Sequence, residues 1–351
     1  MARLAVVLLN LGGPDSLDAV RPFLINLFSD PAIIAAPRPL RWLLARWIAR
    51  RREMAAREIY GHLGGSSPLR ANTEIQAAAL AVALDDEARV FVAMRYWHPR
   101  SDHVVQAVRD WDPDRIVLLP LYPQFSTTTT GSSLDDWARA AAANGLERPT
   151  SAVCCYPTQP GFVAALADAI APALRATSSR RRPRLLLTAH GLPETIDARG
   201  DPYRRQVVET ARAVVARLAE SSLDWLVCYQ SRVGPLAWIG PATDDEIRRA
   251  GREGTPLVVA PISFVSEHSE TLVELDRDYR ALAERSGVPS YVRVPTVADS
   301  TAFIAGLAQM VREAAERRTG LDAGDDGWRC GVAAETRLCP RARRATGGNT
   351  A

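Results

Sequence analysis

The chain has 351 residues, with 43 Lys plus Arg against 40 Asp plus Glu for a net charge of +3, and 47% of it is hydrophobic. That length fits two domains of roughly 150 residues each, the near balance of charge leaves no one-signed field for nucleic acid, and the composition excludes collagen-like, coiled-coil and disordered chains. Every cation is arginine, which excludes Schiff-base chemistry on lysine, and five cysteines with two adjacent at 154 and 155 make a poor disulfide framework that fits a reducing cytoplasm.

The opening run MARLAVVLLNLGGPD lacks a small-x-small cleavage site and reads as a buried strand entering a Gly-Pro turn. No uninterrupted apolar run reaches the length of about 18 to 20 residues that spans a bilayer. Pro31 to Arg52 alternates Trp, Leu and Ile with Arg near helical spacing, which suits either a helix lying in a membrane interface or a lip or core helix of a globular domain. Strands are predicted over Leu4 to Leu11, Arg89 to Tyr96 and Arg115 to Pro120 in the first half. The second half offers Ser151 to Tyr156, Arg184 to Ala189, Trp225 to Gln230, Pro256 to Ser263 and Tyr291 to Pro295. Ala-, Arg- and Glu-rich helical segments alternate with them, the pattern of α/β halves in which a parallel sheet is flanked by helices. The expected domains are 1–150, with a membrane-facing lip at about 31–52, and 151–317; residues 318–351 form an extension expected to be partly disordered.

In open α/β sheets ligands bind beyond the carboxyl ends of the strands. The loops to inspect are therefore LNLGGP after the first strand, RYWHP at Arg95 to Pro99, LYPQFSTTTTGSS at Leu121 to Ser133, TAHGLP at Thr188 to Pro193, YQSRVGPLAWIGP at Tyr229 to Pro241 and ISFVSEHSETLVELD at Ile262 to Asp276. All six should open toward one cleft between the halves. Neither a third glycine after Gly12-Gly13-Pro14 nor any phosphate-loop lysine is present, so nucleotide chemistry is not expected.

His190 ends the apolar run LLLTA, which aims it at the cleft as a candidate general base or metal ligand. Glu267, Glu270, Glu274 and Asp278 are spaced 3, 4 and 4 apart, one stripe of a helix with Leu272, Leu275 and Tyr279 on the opposite side. Glu267 and Glu270 should point into the cleft. One His facing one Glu binds a divalent ion in transit rather than caging it as a structural zinc site would. Tyr60, Tyr96, Trp97, Tyr122, Phe125, Tyr229 and Trp238 suit a flat, conjugated ligand, and Arg50, Arg51 and Arg52 are cationic handles for its acidic edge or for anionic lipid.

Taken in order, LNLGGP, YGHLGGSSP, FVAMRYWHP, LYPQFSTTTTGSS, TAHGLP, RGDPY, YQSRVGPLAWIGP and SFVSEHSETLVELD resemble the ferrochelatases, from Leu8 to roughly Arg317. The resemblance implies two similar Rossmann-like, chelatase-type domains with the active-site cleft between them, and a lyase that inserts Fe²⁺ into protoporphyrin IX to make protohaem with release of two protons. On that resemblance His190 and Glu270 are the catalytic pair that meets the metal, while His268 and Glu274 position the site and extend its acidic path. Leu11, Arg51, Arg52, Tyr60, Ser67, Arg95, Tyr122, Ser126 and Trp238 fall at positions that bind the macrocycle or wall the pocket. Leu11, where relatives acting on coproporphyrin carry Tyr, leans toward protoporphyrin. No resident cofactor is required, iron being a substrate. A [2Fe-2S] cluster as in some members needs four ligands, and the tail supplies Cys330 and Cys339 alone. The implied partners are protoporphyrin IX and Fe²⁺, with peripheral contact at the inner face of the cytoplasmic membrane. A coproporphyrin III ferrochelatase, a chelatase for another metal or ring, and a carrier without turnover are the alternatives.

Overall fold

The computed structural model describes residues 3–85, 88–177, 181–232, 234, 236–316 and 320–323. Residues 324–351, with Cys330 and Cys339, lie outside the described residues. The chain divides into two units: Met1–Leu121, Ser126–Cys154 and Ala308–Asp322 make up the first, and Tyr122–Phe125 with Cys155–Leu307 the second.

The strands of the first unit are β1 (Leu4–Asn10), β2 (Ala88–Met94), β3 (Arg115–Pro120) and β4 (Thr150–Cys155). The second unit holds β5 (Arg184–His190), β6 (Asp224–Gln230), β7 (Leu257–Pro261) and β8 (Tyr291–Arg293), and β9 (Gly320–Ala323) follows near the end. The first sheet has the order β2-β1-β3-β4-β9 and the second β6-β5-β7-β8. Within each, the first strand in chain order runs parallel to both neighbours, Leu4 opposite Ala88 and Arg115 and Arg184 opposite Asp224 and Leu257. Parallel strands are covered on both faces and so read as continuous apolar runs rather than alternating ones. Accordingly Ala5 to Asn10 and Leu185 to Ala189 are buried without interruption. The strand Thr150–Cys155, expected to open the second half, pairs instead with β3 of the first sheet. A short strand's sheet is decided by its neighbours in space, which its own composition does not encode.

Apart from β9 the two sheets share one strand order, the first four strands repeating as the next four. The likeness extends to irregular features. After the third strand of each sheet comes a π-helix, Thr127–Gly131 and Glu270–Asp278, that continues into an α-helix, Ser132–Ala143 and Tyr279–Arg285. π-Helices are rare and concentrate at functional sites. The second stands where the carboxylate stripe of Glu270, Glu274 and Asp278 is counted on α-helical spacing.

Pro31 to Arg52 contributes to a helix at Arg38–Gly61, started by Pro37 and Pro39 and packed on the Val20–Phe28 helix through Ala45 and Ala49. Small residues on that side allow close approach. On the helix surface Leu40, Trp42, Leu43 and Trp47 are each at least half exposed. The Arg46 and Arg51 guanidinium groups lie 3.7 and 4.9 Å over the Trp42 and Trp47 rings. Among the described residues no helix is long and apolar enough to cross a membrane.

Candidate active site

β5 delivers His190 to the carboxyl end of the central strand of its sheet, and the following loop is fastened at once. Gly191 N–H donates to the Gln230 carbonyl at 2.8 Å, Ile239 N–H to Leu192 at 3.0 Å and Glu194 N–H to Ala237 at 2.9 Å. These bonds draw Trp238 against Gly191, the residue after His190. They also require Gly191, because a Cβ there would stand 3.0 Å from the Gln230 oxygen and 3.1 Å from Trp238 Cε3. The Trp238 indole Nε1 is buried without a hydrogen-bond partner. Tyr203 steadies the strand end from the other side, its hydroxyl donating to the His190 carbonyl at 3.1 Å.

The imidazole of His190 lies with Nδ1 2.6 Å from the Gly191 carbonyl oxygen. A carbonyl only accepts, so Nδ1 carries the proton and the neutral ring presents the Nε2 lone pair. His268 repeats the device, Nδ1 lying 3.1 Å from the Ser266 carbonyl. Both Nε2 atoms converge on Glu270 Oε2, each at 3.8 Å. His190 is 40% exposed in its side chain and Glu270 28%, whereas His268 is buried. The open imidazole and carboxylate thus face solvent, backed by a closed imidazole.

Glu274 sits one turn further along the π-helix. Its Oε1 accepts from the Ser231 N–H at 2.8 Å and the Tyr279 hydroxyl at 3.0 Å, and its Oε2 from the Ser231 hydroxyl at 2.5 Å and Gln230 Nε2 at 3.2 Å. The two carboxyls are driven apart in acidity. Burial opposes ionisation of Glu270, but His190 and His268 in their protonated forms, with the Ser231 hydroxyl, outweigh it and hold the group down at about 2. Burial and the neighbouring Glu270 charge instead push Glu274 up. Carboxyls separated in this way are suited to different proton-handling roles.

The four-carboxylate stripe does not form. Glu267 precedes the helix and turns to Arg293 Nη1 at 2.6 Å and the Thr296 N–H at 2.9 Å rather than joining Glu270. Asp276, left out of the predicted stripe, takes Arg293 as well at 2.7 Å. The i→i+5 bonding of a π-helix widens each turn, which breaks a stripe counted on α-helical spacing.

The remaining second-unit residue of the predicted set, Tyr122, follows β3. Seven belong to the first unit. Leu11 and Tyr60 pack in one cluster with the Val20–Phe28 helix, and Ser67 lies against Gly13, where a Cβ would come within 2.5 Å of the Ser67 oxygen. Arg51 lies over Trp47, and Arg52 5.8 Å from the Phe28 ring. Arg95 is occupied inside the unit, paired with Asp30 at 2.8 Å and Asp136 at 3.6 Å and bonded to Ser132 at 2.7 Å. Ser126 is buried and caps the Thr127–Gly131 π-helix, its oxygen accepting from Thr128 N–H. Cys154 and Cys155 are buried on β4. Among the described residues no three His, Cys, Asp or Glu side chains are placed to hold a metal ion together.

The residues that sequence reasoning did not single out are Gln230, Ser231, Tyr203 and Arg293, whose roles come from partners distant in the chain. Gln230 and Ser231 stood in a loop marked for inspection, and Tyr203 in the RGDPY motif, but nothing in either indicated a carboxylate or a strand end as partner.

A family model described as Ferrochelatase matches residues 3–315. The ferrochelatase of Caulobacter vibrioides is 52% identical over 343 residues, 96% of this chain and 97% of that protein. Those of Phenylobacterium zucineum and Hyphomonas neptunium are 52% and 48% identical, covering 94% and 87% of this chain and 96% and 86% of theirs. Among solved structures, SirB from Bacillus subtilis with Fe3+ has a TM-score of 0.53 at 11% identity, covering 89% of this chain and 96% of that one. The sirohydrochlorin chelatase SirB from Bacillus subtilis subspecies spizizenii in complex with cobalt has a TM-score of 0.55 at 12% identity, covering 90% and 96%. At such identities the structural likeness shows the fold alone. The family match and the near full-length identity show that this chain belongs to the ferrochelatases, which are metal-insertion lyases.

Proposed function

We propose that this ferrochelatase inserts Fe²⁺ into protoporphyrin IX, with His190 as the proton acceptor and Glu270 as the acid facing it. The observation that carries the reading is the convergence of two Nδ1-anchored imidazoles on Glu270 Oε2. Iron entering the ring displaces two pyrrole protons, so the neutral product needs a base at the macrocycle and an exit for charge. The Nε2 lone pair of His190 takes a proton, and the Glu270 carboxylate stabilises the imidazolium that forms. Glu274, a carboxylate made more basic by burial and the Glu270 charge, is the next station for protons leaving along the helix. Before the His190 Nε2 lone pair takes up a proton, it and Glu270 together offer the arriving ion two donors, enough to guide a substrate metal and too few to retain it. A planar porphyrin hides its nitrogen lone pairs in the ring plane; bending it to expose them draws on remote binding energy, about 1–5 kcal/mol for distortions of this kind. Leu11 in place of Tyr favours protoporphyrin over coproporphyrin.

Anaerobic turnover with Fe²⁺ and either protoporphyrin IX or coproporphyrin III, followed by loss of free-porphyrin fluorescence, tests this. Wild type should consume protoporphyrin, and His190→Ala should be slower by about 10²- to 10⁴-fold, the usual contribution of a general base. A preference for coproporphyrin would reverse the substrate assignment, and porphyrin binding without insertion would make the protein a carrier.

Contact with the inner face of the cytoplasmic membrane is part of the proposal. The exposed Leu40, Trp42, Leu43 and Trp47, flanked by arginines, are the composition of an interfacial anchor. Flotation with anionic vesicles should retain wild type and release the variant with all four changed to Ser. Ile48 is left intact because it packs against the buried cluster of the first unit. Equal flotation of both proteins would reject membrane contact through this face.

A further inference from the structure

Ser231 immediately follows β6 and adopts φ +59°, a left-handed conformation that an L side chain occupies only at a cost. The conformation accompanies an uncommon contact: one residue directs both its peptide N–H and its hydroxyl onto a single carboxylate. The N–H donates to Glu274 Oε1 at 2.8 Å and the hydroxyl to Oε2 at 2.5 Å. The same hydroxyl is 3.5 Å from Glu270 Oε2. Gln230 reinforces the grip, its Nε2 lying 3.2 Å from Glu274 Oε2 and 3.3 Å from the Glu270 carbonyl. A carboxylate held at both oxygens by a two-pronged donor loses its freedom to rotate, which is how bidentate contacts confer geometry as well as energy. With Glu274 held in this way, Glu270 is the carboxylate that lies 3.8 Å from both imidazoles.

We propose that Ser231 is a positioning residue of the insertion reaction, clamping Glu274 so that Glu270 stays directed at His190 and His268. The inference rests on the reading of His190 and Glu270 as the reacting pair, and it adds a residue that acts on them through Glu274. If the hydroxyl were lost, Glu274 would be free to swing and to compete with Glu270 for the same imidazoles. The defect would then appear in the chemical step rather than in porphyrin binding.

Two full-length variants separate the hydroxyl from the backbone. Ser231→Gly keeps the N–H and relaxes the left-handed strain while removing the hydroxyl; Ser231→Ala keeps the strain and also removes the hydroxyl. Both are assayed anaerobically for Fe²⁺ insertion into protoporphyrin IX, with kcat and porphyrin KM determined separately and thermal midpoints recorded. Both variants should lose about ten- to a hundredfold in kcat, the effect of removing a hydrogen bond to a charged group. Porphyrin KM should stay within about twofold, the mark of an interaction expressed in the chemical step. The glycine variant should nevertheless melt above the alanine variant. Wild-type kcat in both variants, recovery of kcat in the glycine variant alone, or a rise in KM with kcat unchanged would each overturn the proposal. Failure of wild type itself to insert iron is seen before any substitution and overturns the reaction, so the two failures are distinguishable.

Discussion

The Tyr279 hydroxyl donates to Glu274 Oε1 across 3.0 Å, although the two residues are five apart in the chain. On an α-helix of 3.6 residues per turn, a five-residue step ends about 140° around the axis, on nearly the opposite face. The π-helical turn of Glu270–Asp278 brings them together, so this hydrogen bond reports the backbone state of the segment that carries both site carboxylates.

Tyr279→Phe removes that bond while keeping the ring. It should destabilise the protein by about 1–2 kcal/mol, the loss from an acceptor left one donor short. Equilibrium urea unfolding measures it, and an unchanged midpoint would mean the bond is not what holds the π-helix.

Glu270 makes stability depend on pH in a defined window. Its carboxyl is ionised in the folded protein down to about 2 and in the unfolded chain down to its ordinary value of 4.5. The associated stability is therefore complete above pH 4.5 and lost as pH falls toward 2, with a full value on the order of 3 kcal/mol. The unfolding midpoints of wild type and Glu270→Gln, compared between pH 6 and pH 3, should converge on acidification. A gap that widened in acid would contradict this assignment.

Gly191→Ala inserts a methyl between the Gln230 carbonyl and the Trp238 ring, at 3.0 and 3.1 Å. Overpacking of that kind costs about 1–3 kcal/mol. Because the next residue back is His190, insertion should fall along with the melting temperature. A variant with wild-type turnover would show that Trp238 and the β5 loop can shift without disturbing the imidazole.

Arg293 is almost buried and holds Glu267 at 2.6 Å and Asp276 at 2.7 Å, one before the π-helix and one within it. Removing it leaves Glu267 with the Thr296 N–H and Asp276 with Arg280 at 2.9 Å, and Arg293→Ala should cost about 3 kcal/mol. The double variant with Glu267→Gln should recover part of that loss; if it is additive instead, the two residues are not coupled.

Much of this protein was legible in its residues. Apolar runs such as AVVLL and LLLTA mark central parallel strands because covering both faces removes the need for alternation, and His190 was assigned to a strand exit for the same reason. The spacing of Glu270 and Glu274 by four already placed them on one side of a helix. The aromatic and arginine content of Pro31 to Arg52 allowed an exposed or a core helix alike, and the structure leaves Leu40, Trp42, Leu43 and Trp47 exposed.

Other features were decided by contacts between residues far apart. Thr150–Cys155 joined the first sheet because β3 offered it an edge. Glu267 left the carboxylate stripe for Arg293, 26 residues away. Arg95, placed at the pocket by the family resemblance, pairs with Asp30 and Asp136. The π-helix is of the same kind. An α-turn and a π-turn use the same residues and differ in which carbonyl each N–H meets, and nothing in ETLVELDRD selects between them. The sequence by itself therefore determined the family, the alternation of strands and helices, and the residue that presents a base at the end of β5. Tertiary structure decided which carboxylate faces that base, because Ser231, Gln230 and Tyr279 hold Glu274 from positions that acquire a common purpose only when the chain has folded.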